Sequence, residues 1–371
     1  MNIGVIGYGL RARHMVQVML KEDPSCRLVA VVDPRREERD QDAGFRYYAT
    51  VEDMLRDAHV DGIVIGTRCS LHVEMALKVL PTGIPLFLEK PVATTLSDLL
   101  RLKAAHEASD CPVVVSFPLR VTTIVNTVKE IVDSGKIGTV EHVQAINNVP
   151  YGGVYFHSWY RDPSLTGGLF LQKATHDFDY INAVLGASPV EVSAMTSKQV
   201  FRGDKPAGLK CVDCEENRTC PESTAFLPQA DAWPHCCFAE DTGNEDSASA
   251  LLRYPSGMHA SYSQNFFARR GAGARGARFL GYKGTVEFDF TTGRIKVFMH
   301  HTPRVETYEF ENDDGHFGGD NVLARNFIGM MAGKERPMST LEDGLLSALS
   351  CLKATESAAT GQFRAIGWDR L

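Results

Sequence analysis

Two apolar runs separated by a glycine turn are the first residues in this chain whose types and spacing suggest chemistry. Ile3-Gly4-Val5-Ile6 leads into Gly7-Tyr8-Gly9-Leu10-Arg11-Ala12, and Leu28-Val29-Ala30-Val31-Val32 ends in Asp33. In such an arrangement Gly7 permits a tight turn, Gly9 lets the backbone approach a pyrophosphate, and small Ala12 lets the following helix pack closely on the strand. The unpaired first-turn amides and the positive dipole end of that helix would hold the anion. Asp33 stands 21 residues beyond Ala12, where a carboxylate accepts hydrogen bonds from an adenosine ribose. A carboxylate there repels a 2'-phosphate and favours NAD, whereas Arg35 and Arg36 keep NADP open.

Glu89-Lys90-Pro91 closes another short apolar run, Pro85 to Leu88. A lysine fixed between a carboxylate and a proline can hold a substrate hydroxyl and stabilise its developing alkoxide. Thr67 ends a further apolar run, and His72 begins the helical spacing after it; with Tyr8, Leu10, Arg11, Glu89 and Lys90 they complete the expected cofactor surroundings. Downstream, Gly167-Gly168 precedes a helical segment that carries Gln172, Lys173 and His176. Lys173, three residues before His176 on one helix, disfavours a protonated imidazole if both point the same way. The histidine would then be a neutral base at about pH 7.

These residues need a scaffold. The first third of the chain alternates strand and helix patterns, which argues a Rossmann-type parallel sheet covered on both faces, with ligands beyond the carboxyl ends of its strands. Near residue 120 the pattern becomes α+β. A helix from Thr123 to Asp133, a strand through Val140 to Ile146, an aromatic loop and a helix from Gly168 to Leu185 are followed by strand-like runs separated by Pro255-Ser256-Gly257 and Thr291-Thr292-Gly293. Such turn signals favour an open antiparallel sheet. The expected division is 1–119 for the nucleotide domain and 120–371 for an α+β substrate-binding and oligomerisation domain.

The 371 residues are 44% hydrophobic and 23% charged, with a net charge of -7. That balance gives no reason to expect nucleic acid or an anionic membrane as partner, and no apolar run approaches the roughly 18 residues of a membrane span. The first strand follows Met1 too closely for a signal peptide, so a cytoplasmic location is expected. Nine cysteines then read as thiols or metal ligands rather than disulfides. Within a polar insertion at about 202–240, Cys211 and Cys214 are two residues apart, followed by Cys220 and by His235-Cys236-Cys237. Cys211, Cys214, Cys220 and one thiol of the later pair could complete a tetrahedral, structural zinc site.

The Gly-x-Gly start, Glu89-Lys90-Pro91 after a strand, and Gly167-Gly168 leading to His176 resemble the Gfo/Idh/MocA oxidoreductases over nearly the whole chain. The resemblance implies hydride transfer between a nicotinamide cofactor and a hydroxyl carbon of a sugar, cyclitol or related polyol. It also implies a homodimer or homotetramer assembled through the open sheet. Lys90 and His176 match the family's catalytic lysine and histidine, but the aspartate expected four positions before the histidine is Gln172. A glutamine can orient the ring without supplying charge. His176 is therefore expected to accept the hydroxyl proton while Lys90 binds the same oxygen, with Lys173 and Gln172 positioning the substrate. Arg120 matches an arginine common in the family. Tyr155 and Trp159, in an aromatic loop with Tyr151 and His157, suit a carbohydrate. The resemblance also favours Cys237 over Cys236 as the fourth metal ligand. Relatives that keep their NAD and cleave glycosides through transient oxidation and elimination provide the alternative reading.

Overall fold

The computed structural model describes residues 1–35, 44–311 and 315–368; Arg36 lies outside them. The chain forms two compact units, Met1–Asn126 with Glu311–Leu349, and Thr127–Phe310 with Ser350–Leu371.

In the first unit, β1 (Asn2–Ile6), β2 (Arg27–Val32), β3 (Arg46–Tyr48), β4 (Gly62–Ile65), β5 (Leu86–Leu88) and β6 (Val113–Val115) form one parallel sheet in the order β3-β2-β1-β4-β5-β6. It alternates with α1 (Leu10–Glu22), α2 (Val51–Asp57), α3 (His72–Val79) and α4 (Leu96–Glu107). Every residue of β4, β5 and β6 is buried, as strands of a parallel sheet covered on both faces must be. Thr50 and Thr95 cap α2 and α4 by accepting the Asp53 and Asp98 amides.

The strand order reverses between β1 and β4, which makes the crevice at their carboxyl ends the ligand-binding position of such sheets. Gly7 and Thr67 meet there. Gly7 has φ +82°, and a Cβ on it would lie 2.5 Å from the Thr67 nitrogen. Gly7→Ala is therefore expected to destabilise the first unit by about 1–3 kcal/mol. Urea unfolding measures this, and an unchanged midpoint would remove the close-approach argument.

The second unit contains α5 (Thr123–Asp133, which begins in the first), α6 (Val154–His157), α7 (Pro163–Thr166) and α8 (Leu169–Leu185). Its strands are β7 (Val140–Asn148), β8 (Glu191–Ser197), β9 (Ser247–Arg253), β10 (His259–Asn265), β11 (Ala274–Gly281), β12 (Gly284–Asp289), β13 (Arg294–Met299), β14 (Val305–Glu309) and β15 (Arg364–Ala365). They form one sheet in the order β14-β13-β12-β11-β7-β10-β9-β8-β15. The sheet is mixed rather than purely antiparallel, because β7 pairs parallel with β10 and antiparallel with β11. β7 lies between two consecutive strands that run in opposite directions, so it can oppose only one of them. Burial alternates along β9 and β10, the signature of one packed and one open face. α8 covers the packed face: Asp177 bonds Asn147 on β7, Tyr262 on β10 and Arg275 on β11, and the Tyr180 ring meets Phe288 on β12.

The division into compact units differs from the expected 119/120 boundary in two respects: residues 120–126 and a later segment both belong to the first unit. Residues 311–349, including α9 (Gly319–Met331) and the start of α10 (Leu341–Thr360), pack with the nucleotide-binding unit. Leu323, Ala324, Phe327 and Met330 of α9 share a core with Met15, Met19 and Phe87, and the Phe87 and Phe327 rings meet at 5.7 Å. Burying that apolar stripe, not proximity in sequence, assigns the segment. Among the described residues, no helix is long and apolar enough to cross a membrane.

Candidate functional site

At the glycine turn, Gly9 caps α1 and the helix start has no side-chain cap, so its first-turn amides face outward with their dipole. A Cβ on Gly9 would meet nothing nearer than the Gly66 oxygen at 4.0 Å. Protein packing therefore does not demand glycine here, and the space is open to close approach of a ligand. Leu10 beside it is 84% exposed. Ala12 is buried, and a Cβ on Gly66 would lie 2.8 Å from the Ala12 Cβ, so both positions must be small. These residues fit the diphosphate of a dinucleotide.

Asp33 also has a part that the sequence did not disclose. Its Oδ2 accepts the Tyr8 amide and its Oδ1 the Arg35 amide, each at 2.8 Å, which ties the glycine turn to the end of β2. A carboxylate has about four lone-pair sites, which leaves capacity for ribose hydroxyls. The Tyr8 ring packs against Phe45 and under Arg13. The exposed Arg35 guanidinium stays 3.8 Å from Asp33.

Glu89, at the end of β5, is buried and accepts Arg11 Nε at 3.0 Å. Arg11 also donates to both oxygens of Asp320 on α9 and to Ser116 Oγ. Its side chain, expected among the cofactor ligands, is thus engaged in an internal ion network. Burial pushes the Asp320 carboxyl up, but Arg11 and His316 outweigh it and hold the group below its ordinary range. His72, expected beside the cofactor, is buried with Nδ1 2.8 Å from the Pro91 carbonyl and Nε2 3.3 Å from the Thr67 carbonyl. Burial lowers its pKa; a neutral ring donates to only one of these carbonyls, and the ring packs between the two strand ends. Lys90 is half-buried between Glu89 and Pro91. Arg120, expected to touch substrate, makes a two-pronged ion pair with Asp343 at the start of α10. The acids Asp320 and Asp343 escaped sequence reasoning because they lie 309 and 223 positions from their arginines.

In the second unit, Gly167 and Gly168 take φ of +74° and +89° to end α7 and begin α8. Gln172 is buried and donates to the Thr166 carbonyl at 2.7 Å, so its amide holds the start of α8. Lys173 is 6% exposed; its Nζ donates to Tyr151 Oη at 2.7 Å and lies 4.6 and 5.0 Å from the Tyr151 and Tyr155 ring centres. Burial holds this ammonium below its ordinary pKa, with the Tyr151 oxygen opposing the shift. The aromatic faces replace part of the lost hydration.

His176 follows one turn later and is 9% exposed. Tyr155 sits inside an aromatic cluster with Tyr160 and Phe266, and Trp159 stacks on Tyr160 at 3.9 Å. Asp177 is fully buried. It receives Arg275 Nε at 2.9 Å and both Asn147 and Tyr262 at 2.7 Å. Lys90 belongs to the first unit, and Gln172, Lys173 and His176 to the second.

The structure does not gather Cys211, Cys214, Cys220 and Cys237 as one ligand set. Among the described residues, the only group of three or more histidine, cysteine or acidic ligand atoms within 4.8 Å of one another is His157, Glu222 and Cys237. Cys211 is drawn aside: its amide bonds the Pro234 carbonyl, and its thiol donates to the His235 carbonyl at 3.5 Å. Cys214 and Cys220 are half-buried free thiols on turns. The insertion is anchored instead by Phe201 and Cys237, which join a core with Tyr155, Phe156 and Phe266.

Residues 1–117 match the oxidoreductase family with NAD-binding Rossmann fold, and residues 125–287 match the GFO/IDH/MocA C-terminal domain. The chain is 28% identical to YteT of Bacillus subtilis over 335 residues, 75% of this chain and 74% of that protein. It is 28% identical to inositol 2-dehydrogenase 2 of Saccharopolyspora erythraea over 59% of this chain and 61% of that protein. Levoglucosan dehydrogenase, solved with NADH and levoglucosan, shares the fold with a TM-score of 0.79 at 18% identity, covering 99% of both chains. With both parts of the family present in order, and a glycine turn shaped for a dinucleotide, the chain belongs to the Gfo/Idh/MocA oxidoreductases.

Proposed function

We propose that this protein oxidises, and in reverse reduces, a hydroxyl-bearing carbon of a sugar, cyclitol or related polyol, with NAD preferred over NADP. The observation that carries this reading is the open space before Gly9 and the uncapped α1 amides, in the sheet whose β5 ends in Glu89-Lys90. Gly7, Gly9 and the α1 amides would hold the diphosphate, and Asp33 the adenosine ribose. A bound nicotinamide dinucleotide supplies the hydride acceptor. Lys90 binds the substrate oxygen and stabilises its negative charge as the proton leaves. His176 accepts that proton. Lys173 and Gln172 position the substrate side of α8 through Tyr151 and the Thr166 carbonyl. The inositol and levoglucosan enzymes among the similar proteins support the substrate class. Self-association as a homodimer or homotetramer would cover the open sheet face that bears Met195 and Leu251, 78% and 50% exposed.

The test is NADH formation across a panel of cyclitols, aldoses, anhydrosugars and glycosides. Stoichiometric NADH with a ketone or lactone product is expected. Release of aglycone from glycosides with no net NADH from any polyol would overturn the reading in favour of eliminative cleavage. Asp33→Ser is expected to lower the NAD:NADP ratio of kcat/KM by about 10- to 100-fold, the size of a lost hydrogen bond to a charged group. An unchanged ratio would remove Asp33 from ribose recognition.

A further inference from the structure

The proposed redox chemistry leaves unused the group His157, Glu222 and Cys237, whose ligand atoms all lie within 4.8 Å of one another. His157 ends α6, whereas Glu222 and Cys237 come from the insertion. The His157 Nδ1 is 2.6 Å from the His235 carbonyl oxygen. A carbonyl only accepts, so Nδ1 carries the proton and Nε2 keeps its lone pair. Metal-binding histidines are oriented in the same way by a second hydrogen bond. Cys211 lies at the Nδ1 of this ring, at 3.9 Å, which accounts for its exclusion from the group.

The surroundings also suit an ion. His157 and Cys237 are 2% and 1% exposed, so their donor atoms are shielded from bulk water. A cavity of about 220 Å³, lined in part by Tyr151, His157, Glu222, Thr224, Trp233 and Arg269, lies beside them and can hold a water as a further ligand. Glu222 is compensated by Arg269, whose Nη2 is 3.0 and 2.9 Å from the two carboxylate oxygens. An entering dication would compete with that guanidinium for the same charge.

We propose that His157, Glu222 and Cys237 bind one zinc-class dication, with water in the fourth position, and that the ion fastens the 202–240 insertion to α6. One nitrogen, one sulfur and one carboxylate oxygen form a mixed donor set that suits zinc better than magnesium or calcium. On binding, the Cys237 S–H bond breaks, a metal–sulfur bond forms, and one proton is released to solvent. Thiolate and carboxylate then balance the double charge. A tetrahedral ion with bonds of ~2.0–2.3 Å holds its ligand atoms roughly 3.3–3.7 Å apart. From 4.8 Å the closure required is therefore about 1.5 Å at most, and half-buried Glu222 can supply it. Fastening would stiffen the segment that carries Tyr151 and Tyr155, the two rings that hold Lys173.

The experiment is a Co²⁺ titration of the reduced, chelator-stripped full-length protein, followed by absorption and then by Zn²⁺ displacement. A thiolate-to-cobalt charge-transfer band that saturates at one ion per chain, with release of about one proton, is expected. Cys237→Ser should abolish the band. His157→Gln and Glu222→Gln should weaken binding beyond the ~10- to 100-fold that outer-shell partners contribute. Cys214→Ser and Cys220→Ser should leave it unchanged, and Arg269→Gln should tighten binding by removing the competing cation. No saturable band, or a band lost in Cys214→Ser or Cys220→Ser but kept in Cys237→Ser, overturns the proposal. Should the buried variants fail to fold, the opposite shifts in Glu222→Gln and Arg269→Gln decide the matter, and equal affinity in the two rejects the site.

Discussion

Lys90→Ala is expected to lower kcat for polyol oxidation by about 10²- to 10³-fold, the effect of removing one preorganised donor from a developing oxyanion. NADH affinity, followed by fluorescence titration, should change by less than about threefold, because the binding turn is built without Lys90. Gly7 and Gly9 act through backbone, and Asp33 is fixed by the Tyr8 and Arg35 amides. The strand end that carries Lys90 is also held independently. Arg11 joins Glu89 to Asp320 on one side, and His72 contacts the Pro91 and Thr67 carbonyls on the other. Truncating the lysine should therefore remove chemistry and leave the scaffold intact. Turnover within a factor of a few of wild type would take Lys90 out of the mechanism; loss of NADH binding in parallel would make it a cofactor-site residue instead.

The second large effect is on stability. Asp177→Ala should destabilise the second unit by about 3–5 kcal/mol, the cost of leaving one member of a buried pair without its partner. Asp177 is 0% exposed, and its removal leaves the Arg275 guanidinium without its charge partner and the Asn147 amide and Tyr262 hydroxyl without their acceptor. Asp177→Asn keeps the shape and part of the hydrogen bonding, and should fall between. All three tryptophans, Trp159, Trp233 and Trp368, belong to the second unit, so their fluorescence in urea reports its unfolding separately from the nucleotide-binding unit. A shift below about 1 kcal/mol would mean that Arg275 reaches water once the carboxylate is gone. Because α8 carries Asp177 beside His176 and Lys173, kcat should fall in the same variants even where they remain folded.

The parts of the site that could be read from the sequence act over short distances along the chain. The glycine turn, the first amides of α1 and the small Ala12 lie within a dozen residues, and their roles depend on backbone conformation and a helix dipole rather than on distant partners. The helix over Thr123–Asp133 and the strand over Arg294–Met299 were legible for the same reason, since each has its own periodicity. The internal partners of Arg11, His72, Arg120 and Gln172 were not legible, because a polar side chain does not announce which buried acceptor will claim it. Two of those acceptors, Asp320 and Asp343, are hundreds of positions away. The metal-ligand set was likewise not legible from cysteine spacing: the Cys211 thiol donates to the His235 carbonyl, while His157 and Glu222, outside any cysteine spacing, lie around Cys237.

By itself, then, the sequence determined the parallel nucleotide-binding sheet, the dinucleotide turn with its acid at the end of β2, and the strand-end lysine. Each is encoded by neighbouring residues whose conformational limits hold wherever the chain goes. The tertiary structure alone decided that residues 311–349 complete the nucleotide-binding unit, that β7 runs parallel to β10, and that Asp177 anchors α8 to three strands. It also decided which charged side chains remain available for a ligand. A buried charge left unpaired costs several kcal/mol, so Asp177, Asp320 and Asp343 take the cations that the fold brings to them, and that choice is made by packing between segments far apart in sequence.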